Sequence, residues 1–228
     1  MRIVFNLGGS ILCPEGVPDL NYIKRFSRFA IELKREKHDV IVVTGGGGLA
    51  RKYIESARTF KPPESFLDLI GILGTRMNAM LLIASLGEYA YERVVKNRED
   101  LQHAIGSGKI VVMGGTTPGQ TTDAVTIAVA ELLGADLVII GTDVDGIYDR
   151  DPKKYKRARL LEKVDVKELK RIVRIKGHKA KPVAVIDPVA VKLLEQSKIK
   201  TVVLNGRKID NMRDLIEGRK FVGTVVGE

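Results

Sequence analysis

The chain has 228 residues, 44% of them hydrophobic, which is enough apolar material for a sizeable core in one large domain or two small lobes. No uninterrupted apolar run approaches the ~18 residues of a membrane span, and the single cysteine, Cys13, can form no internal disulfide. The net charge of +10 is local: residues 150–181 hold fourteen Lys and Arg against four Asp and Glu, which is the whole excess.

A basic block of this kind fits a small polyanion as well as it fits a polynucleotide, and a solvated face is the plain alternative. With aromatics at 5% and only Tyr155 interleaved in the block, stacking on bases is poorly supported, so no specific nucleic-acid partner is expected. The opening residues pattern as a strand and not as a leader, which makes a soluble cytoplasmic protein with no membrane partner the expectation.

In chain order, residues 3–5 open a strand that ends at Gly8-Gly9-Ser10, where two glycines let the backbone approach a bulky group such as phosphate. Asp19 then caps a helix whose Ile23, Phe26, Phe29, Ala30 and Leu33 form a core stripe. A second buried strand, 40–43, runs straight into four glycines, 45–48, before a helix over 49–54. Four glycines cost conformational entropy, and the return is a set of backbone N–H groups at a helix N-terminus aimed at an anion. Arg51, one turn inside, adds a bidentate fork for phosphate oxygens.

After Pro62-Pro63, the residues Phe66, Leu69, Ile70, Leu73, Met77, Met80, Leu81 and Ala84 mark a long amphipathic helix, with Asp68 and Arg76 off the stripe, toward a ligand or a second subunit. A strand over 89–95 and a surface helix over 98–105 follow, then a buried strand, 109–113. That strand meets a third glycine junction, Gly114-Gly-Thr-Thr-Pro-Gly-Gln-Thr-Thr-Asp123, ahead of a helix over 124–133. Residues 137–140 form the next core strand, and Thr142, Asp143, Asp145, Tyr148 and Asp151 follow its carboxyl end, where ligands of open α/β sheets sit.

The basic block carries a short strand at 160–161 and a helix with Val166, Leu169, Ile172 and Val173 inward. Asp187 and Pro188 supply the N-cap and first position of the last long helix. Strands at 201–204 and 223–226 flank a helix over 212–216. None of the glycine junctions matches the Walker or dinucleotide fingerprints, so the usual nucleotide folds are disfavoured.

Taken in order, Gly8-Gly9-Ser10, Gly45-Gly-Gly, Asp68-Leu-Ile-Gly71 with Thr75-Arg-Met-Asn-Ala79, the third junction, Thr142 to Pro152, Val185-Ile-Asp-Pro188 and Gly223-Thr-Val resemble the amino-acid-kinase fold. The nearest branch is the archaeal-type uridylate kinases, and the likeness covers nearly the whole chain. The resemblance implies one domain over 1–228, a three-layer αβα sandwich with a mostly parallel sheet of about eight strands. Residues 1–135 would form mainly the acceptor half and 136–228 mainly the ATP half. It also implies transfer of the γ-phosphoryl group of ATP to UMP with Mg2+, by a homo-oligomer arranged as a hexamer of three dimers, with no metal ligands of the protein's own.

By position, Gly9, Ser10, Gly47 and Arg51 would contact the transferring phosphate and the ATP tail, and Thr142, Asp143, Tyr148 and Asp151 would hold the adenosine end. Gly46, Asp68, Thr116, Thr117, Pro118, Gly119, Gln120, Thr121 and Thr122 would hold UMP. Asp123 would organise the glycine loops, making Gly9, Ser10, Arg51 and Asp123 the catalytic set.

Phosphoryl transfer is mostly positioning and charge neutralisation, and a phosphate acceptor is already anionic near neutral pH, so no general base is required. His38, His103 and His178 lie outside the glycine junctions, in keeping with that chemistry. Isopentenyl phosphate kinases place a histidine after the second glycine loop, where this chain has Leu49-Ala-Arg51. The chain departs from the wider family at Asn6, where a lysine is common, and at Lys179-Ala-Lys181-Pro182, where small residues are usual. These departures keep two alternatives open: a kinase of another small acceptor such as isopentenyl phosphate or an amino acid, and a non-catalytic nucleotide or oxyanion binder.

Overall fold

A computed structural model of the protein describes residues 1–174, 186–197 and 199–227. Its sheet follows from the runs of branched apolar residues: β1 (Arg2–Leu7), β2 (Asp39–Thr44), β3 (Val111–Met113), β4 (Leu137–Thr142), β5 (Lys163–Val164), β6 (Thr201–Asn205) and β7 (Thr224–Val226). These strands are ordered β3-β2-β1-β4-β6-β7-β5. All pairings are parallel except β6 with β7. In register, Phe5 stands opposite Val42 on one side and Ile139 on the other.

The period of two along each strand sorts the core into two layers. Ile3, Phe5, Leu7, Val42 and Ile139 join residues of α2 (Leu20–Arg35), α4 (Glu64–Leu86) and α9 (Ile209–Ile216) in one cluster. Val4, Ile41, Val43, Val138 and Ile140 join α5 (Arg98–Gly106), α6 (Thr122–Leu133) and α8 (Pro188–Gln196) in the other. The result is the expected αβα sandwich. The remaining α-helices among the described residues are α1 (Gly9–Leu12), α3 (Gly47–Arg58) and α7 (Val166–Arg174).

Local chemistry fixes several helix ends. Asp19 accepts from Tyr22 N at the start of α2, Thr121 from Ala124 N at the start of α6, and Asp187 from Val189 N and Ala190 N ahead of Pro188.

Among the described residues the sheet has seven strands, in keeping with the expected number of about eight. Four expectations differ from the structure. Residues 89–95 contribute only isolated bridges at Ala90 and Val95, and Leu160 only a bridge to Tyr148, so the short strand falls three residues later, at Lys163–Val164. Helix α3 begins at Gly47, two residues earlier than the apolar pattern indicates, since glycine leaves no hydrophobic mark.

The fourth difference concerns α4, whose apolar stripe faces outward. Phe66, Leu69, Leu73, Met77 and Met80 are 47–63% exposed, while Leu67, Ile72, Ala79, Leu82 and Leu86 are buried. The helix is apolar on most sides and by length and composition alone could cross a membrane. Its inner face instead seats buried Thr75 and Asn78 against the ends of the strands.

Candidate active site

The carboxyl ends of β1 and β2 come together because their junction residues have no side chains. A Cβ on Gly9 would lie 1.9 Å from Gly47 N, and Gly47 itself holds φ +61. Gly45 N donates to Leu7 O at 2.9 Å and Gly8 N to Gly141 O at 3.1 Å, so the first junction touches both the second junction and the end of β4. Neither α1 nor α3 has a side-chain cap. The backbone N–H groups of Gly9, Ser10, Gly46 and Gly47 meet no acceptor among the described residues. They form a nest of open donors.

Helix α4 ties the third junction to the second. Thr75 Oγ1 accepts from Gly115 N at 2.7 Å, and Thr44 Oγ1 donates to Thr75 O at 2.9 Å. Asn78 Nδ2 donates to Gly45 O at 2.7 Å, and the Arg76 guanidinium reaches Gly115 O at 3.2 Å. Asp68 accepts from Gly119 N at 2.8 Å, pinning the threonine-rich loop to the helix.

Between these elements lies a cavity of ≈490 Å³, lined by Gly46, Gly47, Arg51, Asp68, Thr117, Gly119, Gln120, Thr121 and Thr122, with Ala50, Ile54, Gly71, Ile72, Thr75 and Gly115. Most of the residues expected to hold the acceptor are thus assembled around one space. Thr116 and Pro118 are not on its wall; the Thr116 hydroxyl turns toward Gln120 Oε1 at 3.3 Å. Arg51 makes no hydrogen bond or ion pair among the described residues, leaving its fork free for a ligand.

Asp123 is half-buried in the first turn of α6, next in sequence to the cavity-lining Thr121 and Thr122. Its Oδ1 accepts from Asn6 Nδ2 at 2.6 Å and its Oδ2 from Asp187 N at 3.3 Å. Burial pushes its carboxyl up to about 6, and the carboxylate of Asp187 adds to the rise, while the Asn6 and Asp187 hydrogen bonds oppose it. Asp187 is held in turn by the Thr121 hydroxyl. One network thereby joins β1, α6 and α8.

On the other side of β1, Thr142 pairs with Asn205 at the ends of β4 and β6. Asp143 is ion-paired with Lys153; partial burial raises its carboxyl, and the ammonium outweighs this and holds it low. Asp145 accepts from Asn205 at 3.0 Å and pairs with Lys208 at 2.8 Å, so it braces the loop. Asp151 caps the following turn by accepting from Lys153 N at 2.9 Å. Burial raises the Tyr148 hydroxyl, with the nearby Asp145 carboxylate contributing. Lys181 and the rest of the 179–182 departure lie outside the described residues.

Thr75, Asn78 and Asn6 are site-forming residues that spacing alone does not disclose. Each is a small polar group within an apolar stretch, and a buried polar residue in such a place is the available signal.

Comparison with known proteins agrees with this geometry. The model of the amino acid kinase family matches residues 1–205. The uridylate kinase of Thermococcus gammatolerans is 46% identical over 226 residues, covering 99% of both chains. That of Methanocaldococcus jannaschii is 45% identical over 206 residues, covering 90% of this chain and 91% of its own. The crystal structure of uridylate kinase from Archaeoglobus fulgidus superposes with a TM-score of 0.86 at 40% identity over 100% of both chains. On the family match and on identity over full length, the chain belongs to the amino acid kinase family.

Proposed function

We propose that the chain is a uridylate kinase, transferring the γ-phosphoryl group of ATP to UMP to give UDP and ADP. The observation that carries this reading is the meeting of the first two glycine junctions, with open N–H groups, beside a cavity whose wall includes the Asp68–Gly119 contact. Relatives named for this activity and matched over 90–99% of the chain support it.

In this reading Gly9, Ser10 and Gly47 present backbone N–H groups to the phosphoryl group in transit, and Arg51 neutralises its equatorial oxygens. Gly46, Asp68 and residues 116–122 hold UMP, while Thr142, Asp143, Tyr148 and Asp151 hold the adenosine end of ATP. Asp123 fixes the spacing between β1 and α6 and does not act as a base, since a phosphate acceptor is already ionised. Among the described residues the walls of the acceptor cavity contain no histidine, in keeping with such an acceptor. Magnesium enters as part of the substrate, chelated by the phosphates of ATP. Residues 1–135 then form mainly the acceptor half and 136–228 mainly the ATP half, with β1 as their common wall.

The same reading takes the chain as a homo-oligomer whose two-fold contact is the outward apolar face of α4, built up as three dimers into a hexamer. Phe66, Leu69, Leu73, Met77 and Met80 give that face a continuous row of large apolar groups, which a second copy would cover.

A coupled ADP-release assay over UMP, CMP, AMP, isopentenyl phosphate and free amino acids tests the activity. UMP is expected to be the preferred acceptor. Turnover with another member of the panel and none with UMP would defeat the assignment.

A further inference from the structure

A second cavity, of ≈670 Å³, lies between α2 and α9, away from the acceptor site. Arg25, Arg28, Arg207, Lys208 and Arg213 line it, and their pairing decides what it can take. Arg213 is spent on Glu32 and Glu36 at 2.8 and 2.7 Å and lies over the Phe29 ring. Arg207 pairs with Asp19 at 3.0 Å, and Lys208 with Asp145 at 2.8 Å. Asp214 is occupied by Arg219 at 2.8 Å. Arg25 and Arg28, one helical turn apart on α2, make no hydrogen bond or ion pair among the described residues, and the carboxylate left without a partner on the wall is Asp210.

We propose that this cavity is a binding site for a compact polyphosphate group, with Arg25 and Arg28 as its primary forks and Arg207 and Lys208 as the cations recruited on binding. Two adjacent free guanidinium groups match the oxygens of a di- or triphosphate, and Arg207 and Lys208 bring two further cations to the same wall. Phe29 is already covered by Arg213, so the wall offers no open aromatic face for a base, and the phosphates are what is recognised.

The site is wired to the ATP half from both ends. The second fork of Arg207 donates to Ser10 O at 3.2 Å, and Lys208 holds Asp145 in the loop after β4. An anion that draws Arg207 and Lys208 inward loosens both contacts. The expected consequence is a raised KM for ATP with little change in kcat. This regulatory consequence rests on the kinase reading; the binding itself does not.

The test compares the parent chain with the Arg25→Ala/Arg28→Ala double variant, in which both exposed residues lie outside the proposed catalytic and substrate sites. Calorimetric titration with sodium tripolyphosphate is expected to give one more equivalent per chain in the parent than in the variant, with affinity falling as salt rises. A parallel titration with a nucleoside triphosphate separates the sources. Equal affinity supports recognition of free polyphosphate, and tighter binding that is lost in the same variant supports a nucleotide held by its tail. In kinetics, tripolyphosphate at fixed free magnesium is expected to raise the KM for ATP at least about threefold more in the parent than in the variant, whose basal kcat is unchanged. Equal stoichiometry and affinity in parent and variant would overturn the proposal, even if both turned over UMP normally.

Discussion

The side-chain amide of Asn6 donates to the carboxylate of Asp123 across 2.6 Å, joining β1 to the first turn of α6. Asp123 titrates at about 6 in the folded chain against 3.8 for the free side chain, so the folded state holds its proton more tightly. Its contribution to stability is therefore full below about pH 4 and is lost as pH rises through 6. Asp123→Asn is expected to gain about 1–2 kcal/mol on the parent at neutral pH and nothing at about pH 4. Asn6→Leu, which removes a hydrogen bond to the ionised form, is expected to move the Asp123 titration upward. Denaturant unfolding across that pH range, with carboxyl NMR for Asp123, checks both; a pH-independent difference between parent and Asp123→Asn would refute the linkage.

Arg51 stands on the cavity wall with its fork unspent. Arg51→Ala is expected to lower turnover by about 100-fold, the scale of losing one transition-state donor, with Arg51→Lys in between because the fork is lost and the charge kept. Steady-state rates at saturating ATP and UMP measure this, and an unaltered kcat removes Arg51 from the site.

Asp68 orders the threonine-rich loop through Gly119 N. Asp68→Ala is expected to raise the KM for UMP about tenfold, the equivalent of one charge-assisted hydrogen bond, while the KM for ATP stays within about twofold. An effect confined to ATP would mean that the two half-sites are reversed.

The outer face of α4 carries Leu73 and Met77 at 59% and 57% exposure. Leu73→Glu with Met77→Glu is expected to shift the chain from oligomer to monomer at micromolar concentration, because two desolvated carboxylates at a two-fold contact cost several times RT on each side. Sedimentation velocity reads the result directly. An unshifted oligomer places the contact elsewhere.

The strands and the glycine junctions were legible because each leaves a compositional mark: branched apolar runs such as 137–140, and glycines in places where they cost entropy. The Asp19 and Asp187 caps were legible for the same reason, as short polar side chains at a fixed offset from an apolar period. The orientation of α4 was not. A helix apolar on nearly all sides has no periodicity to say which face is inward, and the burial of Thr75 and Asn78 is decided by hydrogen bonds to Gly115 and Gly45 some thirty to forty residues distant. The bridging residues at 90 and 95 also misled, since β-propensity does not reveal whether a neighbouring strand lies in reach along the full length.

β1 is hydrogen-bonded to β2 on one edge and to β4 on the other. During synthesis its second edge stays open until residue 137 has emerged from the ribosome, so the most apolar segment at the front of the chain is exposed the longest. Assembly is therefore gated by a long-range pairing, and the nascent chain is sticky until that strand arrives. Conditions that slow translation between 45 and 137 would be felt as aggregation long before they were felt as lost catalysis.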